Sequence, residues 1–115
     1  MLTPTTSDLL STEDHRGAYR CWAAAYPLHQ TSAILLGSHG TASPRLALRW
    51  LRERTRHITD QLDAAYAQPG RYWLTDEAEH ERALTYLATG TAYQLTLYDE
   101  NTRYMLIAYP PGGTT

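Results

Sequence analysis

Glu53, His57 and Asp60 have the types and spacing that could hold a metal. At the helical period they fall within about 60° on one side of a helix. Two carboxylates and an imidazole so placed could ligate zinc, manganese or iron. A surface charge cluster explains the same residues more simply, so no metal site and no cofactor is assigned. Glu77 and His80 have the E-x-x-H helical spacing of di-iron carboxylate sites. Such sites need two copies of that pair and two more glutamates on a four-helix core. This chain has one copy and a predicted sheet, and His80, on the apolar side of its helix, is expected to be a packed core histidine.

Nucleophilic catalysis needs a nucleophile and a base brought together. Cys21 with His39 or His57 satisfies that only by composition, and Cys21 is expected to pack as a small hydrophobe. Arg52, His57, Tyr98, Arg103 and Tyr104 could equip a small ribonuclease-like enzyme, whose groups leave no local motif. No catalytic residue is assigned. His39 lies in GSHGTAS (Gly37–Ser43), read as a loop between a strand and a helix N-terminus, a geometry in which free amides can bind an anion. The loop lacks both the phosphate-loop ending and the dinucleotide fingerprint, and an ordinary tight turn accounts for its glycines.

The strongest pattern is an arginine stripe. Arg45, Arg49, Arg52 and Arg56 recur at i, i+4, i+7 and i+11, within about 60° on a helix. Helical ion pairs, Arg49 with Glu53 and Arg56 with Asp60, explain part of it, at about 0.2–0.5 kcal/mol each. The planar guanidinium also suits a carboxylate or phosphate partner. Charge of this sign near a helix N-terminus is disfavoured unless an anion is present. Trp50 sits at the edge of the apolar face, so the candidate binding residues are Arg45, Arg49, Arg52, Arg56, Trp50 and His39.

These residues require a helix to carry them, and Ser43–Gln68 reads as one long amphipathic helix. Ser43 is the N-cap and Pro44 the first helical residue, with Pro69-Gly70 as the stop. Ala47, Leu48, Leu51, Thr55, Ile58, Leu62, Ala65 and Tyr66 share the stripe to be buried. Upstream, residues 1–10 form a polar lead in which partial disorder is expected. Ala18, Cys21, Trp22, Ala25 and Tyr26 recur at helical spacing and favour a helix over residues 12–26, with a strand through Tyr19–Ala25 as the alternative. Thr31–Leu36 reads as a buried strand.

Downstream, Arg71–Leu74 is expected to be an edge strand or packed connector. Asp76 with Glu79 makes a capping-box pattern for a helix that runs to about Thr89 and ends at Gly90. The alternation of Tyr93, Leu95 and Leu97, the turn residues Asp99-Glu100-Asn101 and the apolar run Tyr104–Tyr109 predict a β-hairpin, its second strand the more central. Residues 110–115 read as a tail.

The 115 residues are one domain, long enough to bury a core without disulfides or metals. A net charge of −2 gives no bulk attraction to nucleic acid or membrane. Ten arginines accompany no lysine, and nine Tyr and three Trp accompany no Phe, so every aromatic side chain has a polar tip suited to half-buried positions. The one cysteine rules out an intrachain disulfide framework. The N-terminus lacks signal-peptide character, and no run has the length of a membrane span.

The expected fold is α+β: two or three helices on one face of a small, mostly antiparallel sheet of three or four strands, spanning residues 11–109. The expected function is that of a small cytoplasmic, non-catalytic regulator or inhibitor that binds another macromolecule through the arginine-lined face. Its partner would be an acidic protein surface or nucleic acid, with a homodimer also allowed. DNA or RNA binding is the first alternative. It is weakened because the helix before the hairpin is acidic and would repel phosphate. A ribonuclease-like enzyme is the second.

Overall fold

A computed structural model of the chain describes residues 18–112. Strands β1 (Tyr19–Pro27) and β2 (Ile34–Thr41) form a hairpin, and helices α1 (Pro44–Thr59), α2 (Ala64–Leu74) and α3 (Glu77–Ala88) follow. A second hairpin, β3 (Tyr93–Tyr98) and β4 (Thr102–Tyr109), completes the order. All pairings are antiparallel, in the spatial order β2-β1-β4-β3. The three helices pack on one face of the four-stranded sheet, the expected α+β arrangement. Cys21, Ala23, Tyr93, Leu97, Leu106 and Ala108 meet Ala47, Leu48, Leu51, Ile58, Trp73, Ala83 and Leu87 in the core between the layers.

Residues 19–27 are a strand, not part of a helix; the rest of the predicted 12–26 helix, residues 12–17, lies outside the described residues, as does the 1–10 lead. A short run buried on both faces has no periodicity that separates strand from helix. Here ladders on both flanks, from Tyr19 to Ala25 with β2 and from Arg20 to Pro27 with β4, override the helix preference of three alanines.

β2 also differs from expectation. It runs on through Gly37–Thr41, the stretch read as a loop, so only Ala42 and Ser43 join it to α1. Its apolar residues are not buried: Ile34 is 46% exposed and Leu35 66%. β2 is an edge strand with no neighbour beyond it among the described residues. Leu36 is an extra residue, since Ala23 pairs with Gly37 and Ala24 with Leu35, and this bulge bends the strand.

The predicted long helix is two helices. α1 begins as expected, with the Leu46 N–H donating to Ser43 Oγ at 3.2 Å and Pro44 in the first turn. It ends at Thr59, closed by i→i+3 bonds from Gln61 and Leu62 to the carbonyls of Ile58 and Thr59. Arg71 then reaches back, donating to Asp60 at 3.3 Å and to the Thr59 carbonyl at 3.5 Å, where a helix C-terminus favours a cation. Eleven residues of continuous helix would separate Thr59 and Gly70 by roughly 16 Å, yet the two are in contact. Pro69 and Gly70 therefore lie inside α2 instead of ending a helix, and Arg71–Leu74 is helical too. Pro69 is on the exposed side, where water can serve the carbonyl its missing N–H leaves unbonded.

α3 and the second hairpin match expectation. Asp76 caps α3 by accepting from the Glu79 N–H at 3.1 Å, and Gly90 follows with φ 91°. The Glu79 carboxylate does not close the capping box. It accepts from the Tyr93 hydroxyl at 2.7 Å, which itself accepts from Trp73 Nε1 at 2.9 Å. His80 Nε2 donates to the Trp73 carbonyl at 2.8 Å, and its ring meets the indole edge-on. These bonds tie α2, α3 and β3 together. β4 is a central strand, paired with both β1 and β3.

Gly70 offers a direct test of the α1–α2 contact. A Cβ built there collides with Thr59 Cγ2. Elsewhere in a helix Gly→Ala gains stability, but Gly70→Ala is expected to lose about 1–3 kcal/mol through overpacking. Thr59→Ser removes the obstructing methyl group, and the double variant is expected to recover part of the loss in urea denaturation.

Candidate functional site

α1 lies mainly across β1 and β4 and reaches β2 less, which leaves a crevice between its flank and the β2 edge. The two elements run in opposite directions, so Thr41 neighbours the start of α1 and Ile34 its end. At the first end His39, Thr41, Leu46, Arg49, Trp50 and Glu53 surround a cavity of about 250 Å³. The His39 and Trp50 rings are parallel, 3° apart with centroids at 6.3 Å, an offset stack. The Arg54 guanidinium lies 5.5 Å from the centroid of the Trp50 ring, a cation–π contact.

Arg54 also rests on the strand backbone. A Cβ at Gly37 would stand 3.1 Å from Arg54 Nε and 3.2 Å from its Cζ, so glycine leaves the guanidinium its seat. On the far side of this arginine a cavity of about 450 Å³ opens. Ile34, Leu36 and Ile58 supply apolar walls, and Arg54, His57, Gln61 and Tyr104 supply polar groups. The Tyr104 hydroxyl donates to Asp99 at 3.0 Å. Burial first, and this carboxylate second, raise its pKa.

The binding residues read from the sequence are thus partly gathered. His39, Arg49 and Trp50 share one cavity, although His39 stands on a strand and not at a loop mouth. Arg45 and Arg56 are exposed, and neither makes an ion pair among the described residues. Arg52 is half-buried, with Nε out of solvent and without a hydrogen-bond partner. Arg49 pairs with Glu53 at 3.7 Å, but Asp60 pairs with Arg71 and not with Arg56. Both pairs are exposed, so they contribute little to stability. Arg54, outside the stripe, was missed. Its signal was the shared side with Trp50 and His57 at i−4 and i+3, but only the strand opposite gives it meaning.

The chemical constellations disperse. Among the described residues no group of three His, Cys, Asp or Glu is placed to hold a metal. Glu53 and Asp60 are engaged with separate arginines, while His57 lines the larger cavity. Cys21 and His39 are cross-strand partners, but the thiol is buried against the Ala47 carbonyl and its pKa is pushed up to about 12 by that burial. Within the ribonuclease-like set, His57 and Tyr104 share a cavity. Tyr98 and Arg103 line another on the helix-free face, where Arg103 stacks on Tyr26 at 4.7 Å.

Comparison with protein-family models, curated proteins and solved structures finds no match to this chain. Among the described residues no helix is long and apolar enough to cross a membrane.

The raised pKa values fix a pH dependence. Burial lifts the Cys21 thiol from 9.0, and burial followed by the Glu79 hydrogen bond lifts the Tyr93 hydroxyl from 10.0. Each acid ionises more readily in the unfolded chain, so its contribution to stability is complete below the unfolded pKa and is lost as pH rises towards the folded one. Stability in urea is expected to be level with respect to these groups below pH 9 and to fall above it. Cys21→Ala should delay the fall to the tyrosine range above pH 10. Rapid labelling of Cys21 by a thiol reagent in the folded protein at neutral pH would contradict this.

Proposed function

We propose that this chain is a small, non-catalytic regulator or inhibitor that binds an acidic, extended segment of another protein along the α1–β2 flank. The observation that carries the reading is the β2 edge itself. Among the described residues its outer backbone groups have no neighbouring strand, it bears no charged side chain to deter pairing, and Ile34, Leu35 and Leu36 are exposed along it. Such an edge is a template for strand addition, in which main-chain hydrogen bonds supply affinity and flanking side chains supply specificity. Beside it α1 offers Arg49, Trp50 and the 44%-exposed Leu46, with Arg45 one turn before Arg49 on the stripe. Guanidinium groups and apolar surface together fit a strand that alternates carboxylate and apolar side chains.

A second copy of the chain suits the edge less well. Antiparallel pairing of two β2 strands would bring both α1 helices to the same side of the joint sheet, arginines towards arginines. We place the activity in the cytoplasm, since the one cysteine is a buried thiol and a protein of this kind needs no disulfide. Nucleic acid is the second reading, favoured by the arginines of the stripe that lack ion pairs among the described residues. Phosphate binding would show as affinity falling steeply with salt.

Fluorescence anisotropy separates the two. The probes are a labelled peptide alternating glutamate and valine, its lysine counterpart, duplex DNA and single-stranded RNA. The glutamate peptide alone is expected to saturate. Changing Arg45, Arg49, Arg52 and Arg56 together to Gln should weaken it at least about tenfold, the order expected for lost charge-assisted hydrogen bonds. Salt-sensitive binding of DNA or RNA that this variant loses would replace the protein-binding reading with the nucleic-acid one.

A further inference from the structure

We infer that the cavity between the end of α1 and the β1, β2 and β4 strands is a binding site for a small organic carboxylate with an apolar body. This inference goes beyond the macromolecular partner: the cavity shares Ile34 and Leu36 with the β2 edge, but its anion-binding group is Arg54 and not the arginine stripe.

The cavity's volume of about 450 Å³ lies in the range of small-molecule sites, and it combines apolar walls with a few convergent polar groups. Its charge is one-sided. No lining residue is acidic, and Arg54 makes no ion pair among the described residues. The nearby Asp99 carboxylate is engaged by the Tyr104 hydroxyl and is not part of the lining. Arg54 is also held in advance, its guanidinium seated against Gly37 and over the Trp50 ring. A donor already fixed in place loses little freedom when an anion arrives.

The inventory selects the anion. One guanidinium can grip a carboxylate with two parallel N–H···O bonds, and His57 and Gln61 stand in the same lining to meet its remaining lone pairs. A phosphate dianion would ask for a second fixed cation or a nest of backbone N–H groups, and the lining has only one arginine. Ile34 and Leu36 on β2, with Ile58 on α1, form a surface for an aromatic or branched aliphatic body. The site binds without reacting, so no bond is made or broken.

The test uses the full chain and 3-phenylpropionate as probe, with 3-phenylpropionamide as its uncharged counterpart. Binding is followed by nuclear magnetic resonance of the His57 ring and of the Ile34 and Ile58 methyl groups. The acid is expected to saturate with a dissociation constant of about 1 mM or below, a strength accessible to a ligand of this size. The amide should bind at least about tenfold more weakly, and Arg54→Met should cost the acid a similar factor. Gly37→Ala provides a second variant that leaves the arginine in the sequence but crowds its seat, and it too should weaken the acid. The inference is overturned by absence of saturation up to roughly 10 mM acid, by equal binding of the amide, or by affinity that both variants retain. None of these results bears on the peptide measurement with the stripe variant, so the two proposals can fail separately.

Discussion

Helix α1 rests on β1 through some of the smallest side chains in the molecule. Cys21 and Ala23 of the strand and Ala47 of the helix are almost fully buried, and the Cys21 sulfur lies 4.0 Å from the Ala47 carbonyl. Small residues let a helix backbone approach the sheet closely, and Leu48 and Leu51 then fill the remaining core. Where α1 continues past this contact, Ala25 is again small, and the space it leaves becomes part of the larger cavity. With α1 placed over the central strands, β2 extends beyond its cover. The exposed apolar edge and the crevice are both consequences of that placement.

The other side of the molecule is tied together by packing and hydrogen bonds. Thr59 occupies the space a side chain at Gly70 would need, which fixes α2 against the end of α1. The Trp73–Tyr93–Glu79 hydrogen bonds and the His80 bond to the Trp73 carbonyl lock α2, α3 and β3 together. Buried polar groups joined in this way favour one arrangement over alternatives, because breaking any link strands a polar atom in the interior. The half built from α2, α3 and β3 is therefore held as one unit, while the two cavities beside β2 lie on the α1–β2 side.

The sequence displayed the elements whose signals are local. Ser43 and Pro44 at the start of α1, Asp76 at the start of α3, and the alternation and turn chemistry of the β3–β4 hairpin all act within a few residues. The buried stripe from Ala47 to Ile58 was legible for the same reason. Features set by distant contacts were not. β1 is a strand because two other strands pair with it, and its alanines say nothing of that. The helix break at residues 60–63 is held by Gly70 and Arg71 folding back on Thr59 and Asp60, so a Pro-Gly pair that resembles a stop is instead a packing site. The site was half legible. His39, Arg49 and Trp50 were singled out, but Arg54 gains its role only once Gly37 lies beneath it and the β4 residue Tyr104 lines the same cavity.

Chemistry along the crevice is graded. At one end stacked rings and a paired arginine border a shallow space; at the other an arginine without an ion pair among the described residues faces apolar walls. Both ends depend on β2 being free, which makes amide hydrogen exchange along Ile34–Thr41 the most direct measurement. If the edge is open, the β2 amides bonded to β1 should be protected, while those pointing outward should exchange almost as fast as in an unfolded chain, at every protein concentration. Protection along the whole strand, or protection that grows with concentration, would mean that the edge is already filled by a second copy, and would contradict an open binding flank.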